Sequence, residues 1–122
     1  MPRFVVLHHE TPAGYPRETH FDLMLEQNGA LRTWALEKIP ATDEVVMAEQ
    51  LADHRLAYLE YEGEITGDRG RVSRVEAGLY ELTTKSESEI TAQLTGEKLR
   101  GMLRLTRDDR KTHLWRVSFT SG

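Results

Sequence analysis

The stretch His20-Phe21-Asp22-Leu23-Met24-Leu25-Glu26-Gln27-Asn28-Gly29-Ala30-Leu31-Arg32-Thr33-Trp34-Ala35-Leu36 decides the fold. Its first half alternates with period two: Phe21, Leu23 and Leu25 take one face, and His20, Asp22, Met24 and Glu26 the other. Asn28-Gly29 follows, two residues that tolerate the positive φ of a type I′ turn. Ala30, Arg32, Trp34 and Leu36 then oppose Leu31, Thr33, Ala35 and Glu37 on a second strand. The pattern is a β-hairpin. Upstream, RFVVLHH (residues 3–9) is a short β-branched and aromatic run, separated from the hairpin by TPAGYPRET, whose two Pro and one Gly read as a loop. Downstream, Ile39-Pro40 ends the second strand. Asp43 to Tyr61 is ambiguous: Val45-Val46 favours a strand start, while MAEQLADHRLAYLE consists of good helix formers. Residues 61–86 read as short strands punctuated by Gly63, Gly67, Gly70 and Gly78. Residues 89–108 alternate around a turn at Gly96. HLWRVSF closes the chain as a last strand, with His113, Trp115, Val117 and Phe119 on one face. Many short strands at close spacing predict an antiparallel barrel or sandwich.

The composition bounds the function. A chain of 122 residues with 39% hydrophobic and 30% charged residues is one globular domain, residues 1–122. No apolar run approaches the roughly 20 residues of a membrane helix, and no signal peptide is read at the N-terminus. The absence of cysteine excludes disulfides, thiolate zinc sites, iron–sulfur clusters and cysteine catalysis. A cytoplasmic monomer is the default expectation. Sixteen Lys and Arg against twenty Asp and Glu give a net charge of −4. A sequence-independent nucleic-acid binder usually carries a net basic face, so any such contact here must be local and helped by a metal.

Two constellations carry chemistry. On a strand, His20 and Asp22 point the same way about 7 Å apart, and an imidazole beside a carboxylate is half of a divalent metal site. His8 or His9 on the preceding strand could complete a two-histidine-one-carboxylate set; the residues alone leave that choice open. The second pair is His54 and Tyr58, which share a face if their segment is helical. An imidazole and a phenol together can bind a phosphate oxygen and stabilise charge growing on it. His113 reads as surface or packing, and Met24, Trp34 and Trp115 as core or edge packing.

The sequence resembles the 3′-phosphoesterase domain found at the N-terminus of bacterial DNA ligase D. The family's opening strand is matched by Phe4-Val5-Val6-Leu7-His8-His9, a register that selects His9. Its His-Tyr-Asp-Phe-Arg-Leu-Glu motif stands here as His20-Phe21-Asp22-Leu23-Met24-Leu25-Glu26. Further matches run in order: Gly29 to Ala35 with Trp34, Asp53-His54-Arg55-Leu56-Ala57-Tyr58, Tyr61-Glu62-Gly63, Gly78-Leu79-Tyr80-Glu81, Leu94 to Gly101, and Trp115. The resemblance implies a small antiparallel β-barrel, mainly β with little helix and a polar groove on one side. It implies manganese-dependent removal of a 3′-terminal ribonucleoside and a 3′-phosphate from DNA ends, in repair. His9, His20 and Asp22 would hold the metal, and His54 and Tyr58 would contact the scissile phosphate. The partners implied are DNA or RNA–DNA 3′ ends and ligase or polymerase repair proteins.

The departures matter as much. Met24 replaces the family Arg that contacts the phosphate, and a thioether supplies neither charge nor a donor fork. Leu7 replaces a Gln, and Ala52 an acidic residue. The loop from Glu10 to Thr19 is longer than usual, and Gly67-Asp68-Arg69-Gly70 is a shortened loop. Arg17 and Arg55, each next to site residues in sequence, are the candidates to replace the lost grip. The alternatives are a weakened metal-binding homologue that holds nucleic-acid ends or a repair partner, and a phosphatase for another phosphate ester.

Overall fold

The computed structural model describes residues 1–122. The chain runs β1 (Arg3–Glu10), β2 (His20–Gln27), β3 (Ala30–Leu36), β4 (Val45–His54), a 3₁₀ turn (Leu56–Leu59), β5 (Gly63–Glu64), β6 (Arg71–Lys85), β7 (Glu89–Gly96), β8 (Arg100–Arg107) and β9 (Leu114–Ser121). Neighbours pair antiparallel in the order β1-β2-β3-β4-β9-β8-β7-β6, and β1 pairs with β6, so eight strands close into a barrel. Closure removes the unpaired edges that an open sheet exposes. The two-residue β5 lies outside the closed ring, on the first residues of β6.

The hairpin is as its sequence dictates. Asn28 and Gly29 have φ of 52° and 79°, as a type I′ turn requires. Phe21, Leu23 and Leu25 face the barrel interior, where Phe4, Val6, Trp34, Leu36, Trp115, Val117 and Phe119 meet them in one cluster. The rings of Trp34 and Trp115 cross edge to face, 5.6 Å between centroids.

The ambiguous segment from Asp43 to Tyr61 resolves into a strand and a single 3₁₀ turn, not a helix. Val46 and Ala48 are needed inside the barrel, and burial on a closing strand overrides helix propensity. His113 is exposed and lies just before β9, which starts at Leu114.

The outer face of β1, β2 and β3 is also covered. Val5, Leu7, Met24 and Leu31 form a second cluster with Leu59 of the 3₁₀ turn and Val72. The chain from Arg55 to Val72 therefore lies over the outside of the barrel, and the groove beneath it holds the site.

Candidate active site

Register builds the first part of the site. His9 stands directly opposite His20 in the β1–β2 ladder, and Leu7 opposite Asp22. Residues two apart on a strand share a face, so His9, His20 and Asp22 all point outward and converge. His8 has the other parity: it stacks against Phe21 at 4.9 Å and lies 3.8 Å from Glu10. The choice that the residues left open thus falls on His9.

The three side chains are buried, and their ligand atoms lie within 4.8 Å of one another. His9 donates its Nε2–H to the Arg69 carbonyl at 2.6 Å, which leaves Nδ1 facing Asp22 Oδ2 at 3.6 Å. His20 donates its Nδ1–H to the Glu18 carbonyl at 2.8 Å, which leaves Nε2 facing Asp22 Oδ1 at 3.0 Å. Backbone carbonyls thus fix both tautomers, as in metal sites whose outer partners orient the ligands. His20 Nε2 and Asp22 Oδ1 are buried without an aligned hydrogen bond to anything. Two acceptor lone pairs 3.0 Å apart need a cation between them, a proton or a metal. Burial pushes the Asp22 carboxyl up, but His20 and His9 outweigh it and hold the pKa at about 2. The Asp22 carboxylate beside Nδ1 raises the His9 pKa, against the opposing effect of burial. Two nitrogens and a carboxylate in this arrangement fit a divalent transition ion.

The second part comes from β4. Its pairing with β3 slips between Leu31 and Thr33: Thr33 faces Leu51, but Leu31 faces His54. One extra residue on β4 makes a bulge, which re-aims the side chains beyond it. The bulge turns His54 to the outer face that carries His9 and Asp22. His54 Nδ1–H donates to the Ala52 carbonyl at 2.9 Å, leaving Nε2 free. Tyr58 in the 3₁₀ turn meets the His54 ring edge to face at 5.6 Å. The pair meets through a bulge and a turn rather than one helical face.

A cavity of about 400 Å³ joins the two parts; His9, Asp22, His54, Arg55, Tyr58 and Arg69 supply its polar lining, with Asp53 and Tyr15. Met24 is 1% exposed and lies against Leu7 and Val72 at the cavity wall. Arg17 stands elsewhere: Glu49 takes its guanidinium at 2.8 Å, and it lines a neighbouring groove with His20. The arginines of the cavity are Arg55 and Arg69.

Arg69 and Tyr15 were not candidates from sequence. The loop from Ile65 to Gly70 is closed by Ile65 N–H donating to the Gly70 carbonyl at 2.8 Å. Gly70 has φ of 90°, and a Cβ there would lie 1.9 Å from the Glu10 carbonyl oxygen. Only glycine lets this loop press on the end of β1, where Arg69 reaches His9. Gly67 and Gly70 were the signal of that loop, but nothing in the sequence fixed what it touches. Tyr15 comes from the long loop after β1, whose Thr11 N–H bonds Thr19 Oγ1 at 3.1 Å, and its ring meets that of His9 at 6.0 Å.

Comparison with known proteins points to one family. The family model described as the DNA ligase D 3′-phosphoesterase domain matches residues 8–107. The chain is 33% identical to the multifunctional non-homologous end joining protein LigD of Pseudomonas aeruginosa over 72% of its own length. The match spans 12% of that longer relative.

Proposed function

The chain belongs to the DNA ligase D 3′-phosphoesterase domain family, and on that footing we propose that it is a metal-dependent phosphoesterase acting on 3′-phosphate or 3′-ribonucleotide ends of DNA. The observation that supports this most is the single cavity shared by His9, Asp22, His54, Tyr58, Arg55 and Arg69. His9 Nδ1, His20 Nε2 and the Asp22 carboxylate would hold a divalent ion, Mn²⁺ in this reading, which would supply Lewis acidity at a phosphoryl oxygen. A donor set of two imidazoles and one carboxylate would suit manganese.

The chain's own residues do the rest. Arg55 and Arg69 take the phosphate oxygens through forked N–H donors. The Tyr58 hydroxyl donates to a third oxygen. Water oxygen bonds to phosphorus as the bond from phosphorus to O3′ breaks; His54 gives a proton from Nε2 to the leaving O3′, one proton of the attacking water passes to solvent, and solvent returns a proton to His54 before the next turnover. The Ala52 carbonyl, held by the other ring nitrogen, keeps that imidazole oriented. Arg17 pairs with Glu49 beyond His20, so this reading assigns the grip to Arg55 and Arg69.

The setting proposed is DNA-end repair in the cytoplasm of a bacterial cell, with ligase or polymerase proteins as partners. No helix is long and apolar enough to cross a membrane. Met24 favours a second reading, since a buried thioether stands where the family resemblance implies a phosphate-binding Arg: a homologue that binds metal and DNA ends without turnover.

Release of inorganic phosphate from a 3′-phosphate primer-template separates the two. Release that needs Mn²⁺, stops with chelator and is lost in His54→Ala and Asp22→Ala supports the esterase. No release from a protein that still binds Mn²⁺ and the primer end supports the second reading.

A further inference from the structure

A second cationic site stands at the barrel end that carries the β2–β3 and β6–β7 turns. Arg32 begins the inward face of β3, two residues before Trp34. Its guanidinium lies 5.0 Å from the centre of the Trp34 ring and 5.3 Å from that of Trp115. Arg107, at the end of β8, pairs with Trp115 in the β8–β9 ladder. Both arginines are half-buried. Their neighbours Arg104 and Arg116 are tied to Glu89 and Asp108, whereas neither Arg32 nor Arg107 is bonded to any side-chain acceptor. With Lys85, Ser86 and Glu87 they line a cavity of about 480 Å³ that has no apolar residue. Glu87, its one carboxylate, is exposed and forms no ion pair. Burial lowers the Arg32 pKa, with Asp53 opposing and Arg107 adding to the shift, so the two guanidiniums repel each other.

Holding two partly desolvated like charges together costs free energy unless an anion joins them. Forked guanidiniums match the oxygens of a phosphate group. The place adjoins the catalytic groove: Leu31, next to Arg32 on β3, pairs with His54 in the β3–β4 ladder, and Asp53 beside His54 lines that groove. We propose that the barrel mouth is a second phosphate site, in which Arg32 and Arg107 hold an internucleotide phosphate of the strand whose 3′ end lies at His54. An acidic protein would thus grip a polyanion locally, through the arginines of the groove and those of the mouth. The strand as source rests on the esterase reading above; the site itself rests on the two arginines.

Both tryptophans of the chain lie against Arg32, so intrinsic fluorescence reports occupancy directly. Metal-free full chain, which prevents turnover, is titrated with three probes. These are a strand of about twelve nucleotides ending in a 3′-phosphate, a dinucleotide ending likewise, and inorganic phosphate. Arg107→Gln removes a charge at the rim, and Arg32→Lys keeps charge over the indoles while removing the fork. The proposal predicts that each variant binds the strand roughly fivefold to tenfold more weakly, and that Arg107→Gln lowers the salt slope by about 0.7. Dinucleotide affinity stays unchanged. Equal losses for dinucleotide and strand would place both arginines in the catalytic groove and overturn the separate site. Arginine-dependent quenching by inorganic phosphate, in a protein that binds no strand, would uphold the anion site and refute the DNA-end reading. Unchanged affinities with no tryptophan response would overturn the proposal.

Discussion

Asp22 carries the most concentrated demand of any side chain in this protein. It is 2% exposed, ionised down to about pH 2, and faced by the lone-pair nitrogens of two histidines whose own protons are committed to Glu18 and Arg69 carbonyls. A metal ion satisfies all three at once. The Arg69 contribution separates cleanly: its carbonyl orients His9, while its guanidinium is free for phosphate apart from bonds to Thr66. Arg69→Ala should therefore reduce kcat/KM for phosphate release by about 10²-fold and leave Mn²⁺ affinity unchanged. Steady-state kinetics beside a metal titration checks this; a matching loss of Mn²⁺ would mean the side chain acts through His9 instead. The choice between His8 and His9 shows what residues alone cannot give. Both are imidazoles on one short strand, and only the pairing of His9 with His20 decides which one faces Asp22.

Among the elements, the β2–β3 hairpin was fully legible, because alternation and Asn28-Gly29 are local signals. The β4 bulge was not. Nothing in Ala52-Asp53-His54 announces an extra residue, since the bulge arises from matching β3 while closing on β9. The loop before β6 is similar: its glycines are visible, its contact with β1 is not. Gly70→Ala should destabilise the fold by at least about 1–2 kcal/mol from the positive φ alone, with a further cost from the clash with Glu10, and should weaken Mn²⁺ binding by shifting Arg69. Denaturant unfolding and a metal titration test both effects. The β7–β8 turn depends on Glu76, whose carboxylate accepts the N–H groups of Ala77, Glu97, Lys98 and Leu99. Burial raises its pKa, but these four bonds prevail and lower it from 4.5. A carboxyl with a depressed folded pKa stabilises above its unfolded value and loses that contribution as pH falls through the folded one. Wild-type stability should thus decline below about pH 4.5. Glu76→Gln should cost about 2–3 kcal/mol at neutral pH and show a shallower acid decline, measured by urea unfolding across that range.

As a whole molecule, the barrel separates packing from chemistry. The interior is filled by Trp34, Trp115 and their aliphatic neighbours, while His9, His20, Asp22 and His54 stand on the outer wall and the chain from Arg55 to Val72 brings Arg55, Tyr58 and Arg69 over them. The barrel wall positions the two histidines, the aspartate and His54 more rigidly than free loops could. Trp34→Ala should cost about 3–5 kcal/mol, a large share of the roughly 5–15 kcal/mol of a domain this size, and its effect on activity should follow from unfolding. A thermal melt beside an activity assay tests that order of events. Strand content and a barrel or sandwich were readable from spacing. The eight-stranded closure required the β1–β6 pairing, a contact between residues about 70 apart in sequence that local patterns do not encode.

The most direct test of the account is a Mn²⁺ titration followed by electron paramagnetic resonance, on the full chain and on Asp22→Ala with its melting curve recorded in parallel. The account predicts one tightly held ion in the full chain and at least about a hundredfold weaker binding in a variant that still melts cooperatively. Equal binding by the two proteins, or none by either, would contradict a metal centre at His9, His20 and Asp22.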